Sequence, residues 1–118
     1  MPGGVGWVWH ENRSSKMWIR MGSFAVKPGE AERLKSTYNG VAVPKVRACP
    51  GNLACLLLEP ATVGEAFNVI TIWETRAAAE AYEASGSAAE VVSLVRDCFA
   101  GPPTLTSYLC ESSAGLPS

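Results

Sequence analysis

Histidine is nearly missing from this chain: of 118 residues, only His10 is one. That removes the commonest general acid–base and metal-ligating side chain from almost the whole sequence. No histidine-based triad or nucleophile elbow can be assembled. The four cysteines, Cys49, Cys55, Cys98 and Cys110, follow no zinc spacing. No secretory signal accompanies them, so they read as buried or bystander thiols rather than as a disulfide framework. Basic residues are not in excess either. Ten Lys and Arg stand against eleven Asp and Glu, and they are scattered, which speaks against a nucleic-acid footprint and a polybasic membrane patch. The longest apolar run, "LACLLL" at 53–58, is strand length and far too short for a membrane span. Walker A and dinucleotide glycine patterns are absent, as are internal repeats and low-complexity tracts. Together these absences predict a cytoplasmic domain with no metal, no cofactor, and neither nucleic acid nor membrane as partner.

What is present fits one globular domain whose core needs no disulfide or metal staples. Residues 1–16 form an irregular, glycine-rich N-terminal extension carrying Trp7, Trp9 and His10, and Met17 is a natural first residue for the domain proper. "MWIRMGSFAV", 17–26, alternates with period two, with Met17, Ile19 and Met21 on one side and Trp18, Phe24 and Val26 on the other. "KPGE" opens a helix whose apolar positions are Ala31, Leu34, Tyr38, Val41 and Ala42. Pro44 should end or kink it near Val43. "LACLLLE" and "AFNVITIWE" are strands joined by the loop "PATVGE". Thr75 is an N-cap for "RAAAEAYEA", and Ser87 with Glu90 forms a capping-box pattern before Val91, Leu94, Val95, Cys98 and Phe99. "GPP" stops that helix, "TLTSYLCE" is the last strand, and residues 112–118 form a tail.

Strand, helix, strand, strand, broken helix, strand is the split βαβ order. It predicts an α+β, ferredoxin-like fold: a four-stranded antiparallel sheet with its helices on one face. The first two strands are apolar on both sides, and the helices can cover only one. Burying a few hundred Å² of the other face, at about 25 cal/mol per Å², is worth several kcal/mol before association costs. A two-fold homodimer with sheets face to face is the simplest solution.

"MWIRMGSFAVKPGEAERL", "VPKVRACPGNLACLLL" and "VITIWETRAAAEAYEAS", in that order and spacing, resemble the antibiotic biosynthesis monooxygenase (ABM) domain family over about residues 17–111. The resemblance implies a dimeric α/β barrel. It also implies a possible activity, because some members oxygenate quinol or polyphenolic substrates with O2 and neither metal nor flavin. There a bound phenolate reduces oxygen, and the protein supplies a dry aromatic pocket, steered deprotonation and stabilisation of charge. Other members cleave haem.

On this resemblance Trp73 takes a position where members commonly carry tryptophan, some in the substrate cavity. The asparagine often found four residues earlier is Val69 here, and Asn68 stands next to it, on the opposite side of a regular strand. Tyr82 falls where a helix histidine, or the haem enzymes' tryptophan, would lie. Val92 and Gly22 replace the histidine and asparagine of the haem site, so haem degradation is disfavoured. The candidate catalytic residues are therefore Trp73, Tyr82 and Arg96, with Tyr38 and Asn68 for substrate binding. The tyrosines would hydrogen-bond a substrate oxygen, and Arg96 would stabilise an anionic intermediate. Arg20, the one charge in an apolar strand, reads as an edge or rim residue. Two functions remain: a monooxygenase for a small aromatic, quinol or polyketide-like substrate, and a non-catalytic dimeric ligand-binding or structural module. An enclosed pocket bearing Tyr38, Tyr82 or Arg96 would favour enzyme or ligand binder; solid packing would favour a structural role.

Overall fold

The computed structural model describes residues 16–114. Trp7, Trp9, His10 and the rest of the expected extension before Lys16 lie outside the described residues, as do tail residues 115–118. Strand β1 spans Trp18–Phe24. A continuous helical run comes next: α1 (Ala31–Thr37), a π-helical turn (Tyr38–Ala42) and α2 (Val43–Arg47). After β2 (Asn52–Leu58) and β3 (Phe67–Trp73) come α3 (Arg76–Ala84), α4 (Ser87–Val95), a 3-10 turn (Arg96–Cys98) and β4 (Thr104–Leu109). The sheet order is β2-β3-β1-β4 and every neighbouring pair is antiparallel. The expected α+β ferredoxin-like arrangement is the one observed.

The strand register sorts side chains between the two faces. Opposed residues of an antiparallel pair point the same way, and β1 opposes β3 as Trp18–Trp73, Arg20–Thr71, Gly22–Val69 and Phe24–Phe67. This face carries the helices. Phe24, Phe67 and Trp73 pack there with Leu34, Tyr38, Ala42, Val46, Val91 and Val95 into one core. The other face presents Ile19, Met21, Leu56, Leu58, Ile70 and Ile72, and no described helix covers it. Leu56 and Leu58 are 44% and 42% exposed there.

Three local expectations are corrected. Pro44 does not end its helix. The Val43 N–H donates to the Tyr38 carbonyl five residues back, so the chain widens into a π turn before the proline. Pro44 then falls in the first turn of α2, where its missing N–H is not needed. The widened turn also moves Val41 out to 50% exposure, while Leu34, Tyr38, Ala42 and Val46 face inward. Ser87 is not an N-cap. Gly86, at φ 89°, caps α4, and the Ser87 N–H donates to Ser85 Oγ at 3.3 Å. Thr75 does cap α3, with its hydroxyl accepting from the Ala78 N–H at 3.1 Å. Among the described residues all four cysteines are free thiols, and no helix is long and apolar enough to cross a membrane.

Candidate active site

Between the helix-bearing face of the sheet and the helices above it lies a cavity of about 560 Å³. Its floor is Arg20, Gly22 and Phe24 from β1, Val69 and Thr71 from β3, and Leu105 from β4. Its roof is Tyr38 from the π turn, Tyr82 and Glu83 from α3, and the apolar side of α4. Gly22 helps to open this space. A Cβ there would meet only Leu105 Cδ2, at 3.3 Å, and the Thr104 carbonyl at 4.0 Å, so a side chain would project into the cavity rather than into packed core.

A few polar groups converge on this largely apolar chamber. Arg20 is the most constrained. β1 is an interior strand, so Arg20 sits at neither an edge nor a rim, and its side chain is only 12% exposed. It forms an ion pair through Nε with Glu83 Oε2, and its guanidinium lies 5.9 Å from the centroid of the Tyr82 ring. A guanidinium this buried needs such a partner, because an uncompensated charge in an apolar setting costs several kcal/mol. Glu83 itself is 46% exposed, so the pair spans the cavity wall from interior to solvent.

Both tyrosines are protonated phenols at neutral pH. Burial pushes the Tyr82 phenol up to about 12, against the pull of the Arg20 charge. Burial raises the Tyr38 phenol further still, with the Cys55 thiol adding to it; the Tyr38 oxygen lies 3.7 Å from Cys55 Sγ. Neither can serve as a base near neutrality, and each can donate a hydrogen bond. Arg96, just after α4, lines the cavity from its solvent side and makes no ion pair among the described residues.

Trp73 stands behind the wall rather than in it. It is 0% exposed and outside the cavity lining. Its Nε1–H donates to Thr71 Oγ1 at 2.9 Å and its ring lies 4.8 Å from that of Tyr82. Both residues it touches in this way face the cavity. Asn68 does not. Paired with Ser23 and Leu58, it lies on the uncovered face, and the regular β3–β1 register supplies no bulge to turn it inward. Tyr38, Tyr82 and Arg96 are thus brought to one cavity, Trp73 supports it, and Asn68 is separated from it by the sheet. Sequence reasoning missed Thr71 and Glu83. Arg20 carried a signal, as a lone charge in an apolar strand; Glu83 carried none, since it looks like any helix-surface acid.

No group of three His, Cys, Asp or Glu side chains is placed to hold a metal ion among the described residues. The described lining contains no imidazole or thiol, so a haem lodged there would meet neither of those iron ligands from it.

The chain matches the sequence model of the family described as antibiotic biosynthesis monooxygenase over residues 17–93. No curated protein matches it. Solved structures do. A candidate antibiotic biosynthesis monooxygenase of Nitrosomonas europaea superposes with a TM-score of 0.73 at 21% identity, covering 86% of this chain and 96% of the other. A monooxygenase from the gene ActVA-Orf6 of Streptomyces coelicolor, in complex with the ligand nanaomycin D, gives 0.70 at 23% identity, covering 91% and 97%. A mutant of MhuD with two manganese protoporphyrin IX bound per active site gives 0.68 at 24% identity, covering 83% and 98%. At these identities the structural likeness speaks for the fold alone.

Proposed function

The chain belongs to the antibiotic biosynthesis monooxygenase family, and from that premise we propose that it is a cofactor-independent monooxygenase that oxidises a small aromatic, quinol or polyketide-like substrate with O2. The observation that carries this reading is the chamber. It is large enough for two or three fused rings, mostly apolar, and set with Tyr38, Tyr82, Arg20, Glu83 and Arg96.

The chemistry asks little of the protein. A substrate enolate or phenolate gives an electron to O2, and the resulting pair combines at carbon. Where a CH2 centre becomes a carbonyl, one oxygen atom enters the product and the other leaves as water with both hydrogens. The protein's part is to bind the rings, exclude water, donate hydrogen bonds from Tyr82 and Tyr38 to substrate oxygens, and hold the developing anion near Arg96. Trp73 is a positioning residue that fixes Thr71 and Tyr82 from behind. Asn68 has no part in this site. Gly22 and Val92, which line the chamber at the positions where the haem-cleaving members keep an asparagine and a histidine, favour an aromatic substrate over haem. The uncovered apolar face supports a homodimer with sheets packed face to face, and so a dimeric α/β barrel with one such chamber on the outer, helix-bearing side of each sheet.

Oxygen consumption with a panel of quinols and anthrones tests the activity. Uptake that depends on native protein and falls at least tenfold in Tyr82→Phe supports it. Undetectable uptake across the panel, with ring compounds still binding, supports the alternative of a non-catalytic ligand-binding module.

A further inference from the structure

Any phenol that enters this chamber must lose a proton before it can reduce O2, and the usual acceptor, histidine, is missing from the described lining. We infer that the Arg20–Glu83 ion pair is the proton-exchange device of the site, with Glu83 accepting the phenolic proton and Arg20 holding the phenolate left behind. This rests on the oxygenase reading for its purpose, but not for its test.

The placement supports it from several sides. Glu83 is the only carboxylate in the lining among the described residues, and its Oε2 already touches Arg20 Nε. Arg20 is fixed on an interior strand and largely buried, whereas Glu83 is on a helix and half open to water. The cation is therefore immobile and the carboxylate can shift. When a phenol docks against the pair, its O–H bond breaks and an O–H bond forms on Glu83. The negative charge moves from carboxylate to phenolate oxygen, and Arg20 exchanges one anionic partner for another. The net charge of the chamber does not change, which avoids leaving an uncompensated ion in an apolar site. The electron then lost by the phenolate goes to O2. The other titratable or charged groups about the pair are Tyr82 beside Glu83 on α3, Tyr38 on the π turn, Cys49 and Cys55 near the tyrosines, and Arg96 in the same lining. Both tyrosines stay protonated at neutral pH, and Arg96 can only donate, so none of these three competes with Glu83 as acceptor.

The test uses 4-nitrophenol, whose phenolate is yellow and which does not consume oxygen. It is titrated into the full-length protein at several pH values below the probe's own ionisation. The expected result is a bound phenolate band with an affinity independent of pH, because the proton stays on Glu83. In Glu83→Gln the phenolate still forms against Arg20, but its proton goes to solvent, so affinity falls about tenfold for each pH unit downward. Glu83→Asp restores the flat profile. Arg20→Gln loses the band, and Arg20→Lys, which keeps the charge, retains it should the first variant fold poorly. A wild-type affinity with the same pH slope as Glu83→Gln would overturn the inference, as would a bound probe with no phenolate band, or no binding at all. Since no oxygen is consumed, these outcomes stand apart from the oxygenase reading: the band and its flat profile can hold while oxygen uptake fails, and the reverse.

Discussion

Replacing Trp73 separates a residue that performs chemistry from one that holds the chemistry in place. Trp73→Phe removes the indole N–H that donates to Thr71 Oγ1 at 2.9 Å, a buried hydrogen bond contributing about 1 kcal/mol. It also leaves a void of roughly 40 Å³, which at about 24 cal/mol per Å³ adds about 1 kcal/mol. The total expected loss is about 2 kcal/mol, and Trp73→Ala, which empties the site beside Tyr82 altogether, should lose about 3–5 kcal/mol. Urea unfolding monitored by far-UV circular dichroism measures both, with an unchanged slope showing that the denatured state is unaltered. Because the indole does not line the cavity, ring-compound affinity in folded Trp73→Phe should stay within about threefold of wild type, a change of under 1 kcal/mol. A Trp73→Phe protein as stable as the parent would refute this reasoning. So would a variant that keeps its stability but loses ligand binding outright, since that would put the indole against the substrate.

The same geometry carries other expectations. Ile70→Lys places a charge in the middle of the uncovered sheet face. If that face is the dimer interface, the unpaired lysine should weaken association by about 3 kcal/mol or more, over a hundredfold, and sedimentation at micromolar concentration should show monomer. A wild-type monomer under the same conditions would remove the dimer from the account. Tyr82 has a folded pKa near 12 against an ordinary value of 10. Above pH 10 the unfolded chain therefore binds fewer protons than the folded one, and stability must fall as pH rises through that window. Chemical denaturation between pH 9 and about 11 should show a shallower decline in Tyr82→Phe than in wild type. Gly51 has φ 82°, and a Cβ on it would lie 2.5 Å from Ala78 Cβ. Two rigid atoms cannot share that space, so Gly51→Ala should cost about 2 kcal/mol or more, read as a lower melting temperature.

The fold was legible because its signals are local and mutually consistent. The alternation in β1, the apolar run of β2, the Thr75 cap and the turns at Gly51 and Gly101 each fix an element or its end. Their order leaves few sheets to choose among. Pro44 misled because a π turn absorbs the proline, and a π turn depends on which carbonyl Val43 finds, not on composition. Ser87 misled because Gly86 reached the cap position first with a left-handed backbone. The site was harder to read for a different reason. Tyr38, Tyr82 and Arg96 were found as polar groups on helix faces, but their convergence on one chamber needs the tertiary packing of α3 and α4 over the sheet. Thr71 reads in the sequence only as a strand residue two positions before Trp73. Glu83 could not be singled out, since its meaning comes wholly from Arg20, sixty-three residues away in sequence. Which face of the sheet carries Trp73 was not legible in the sequence, and even the face does not separate a wall residue from one a layer behind it.

The proposed reaction transfers one oxygen atom from O2 to the methylene carbon of an aromatic substrate, without a cofactor. Isotopically labelled O2, supplied with an anthrone that the native protein consumes, tests it most directly by mass spectrometry of the product. One labelled oxygen atom is expected in the new carbonyl, with the second labelled atom recovered as water. A product whose new oxygen comes from solvent, or label incorporation no faster than in protein-free buffer, would contradict it.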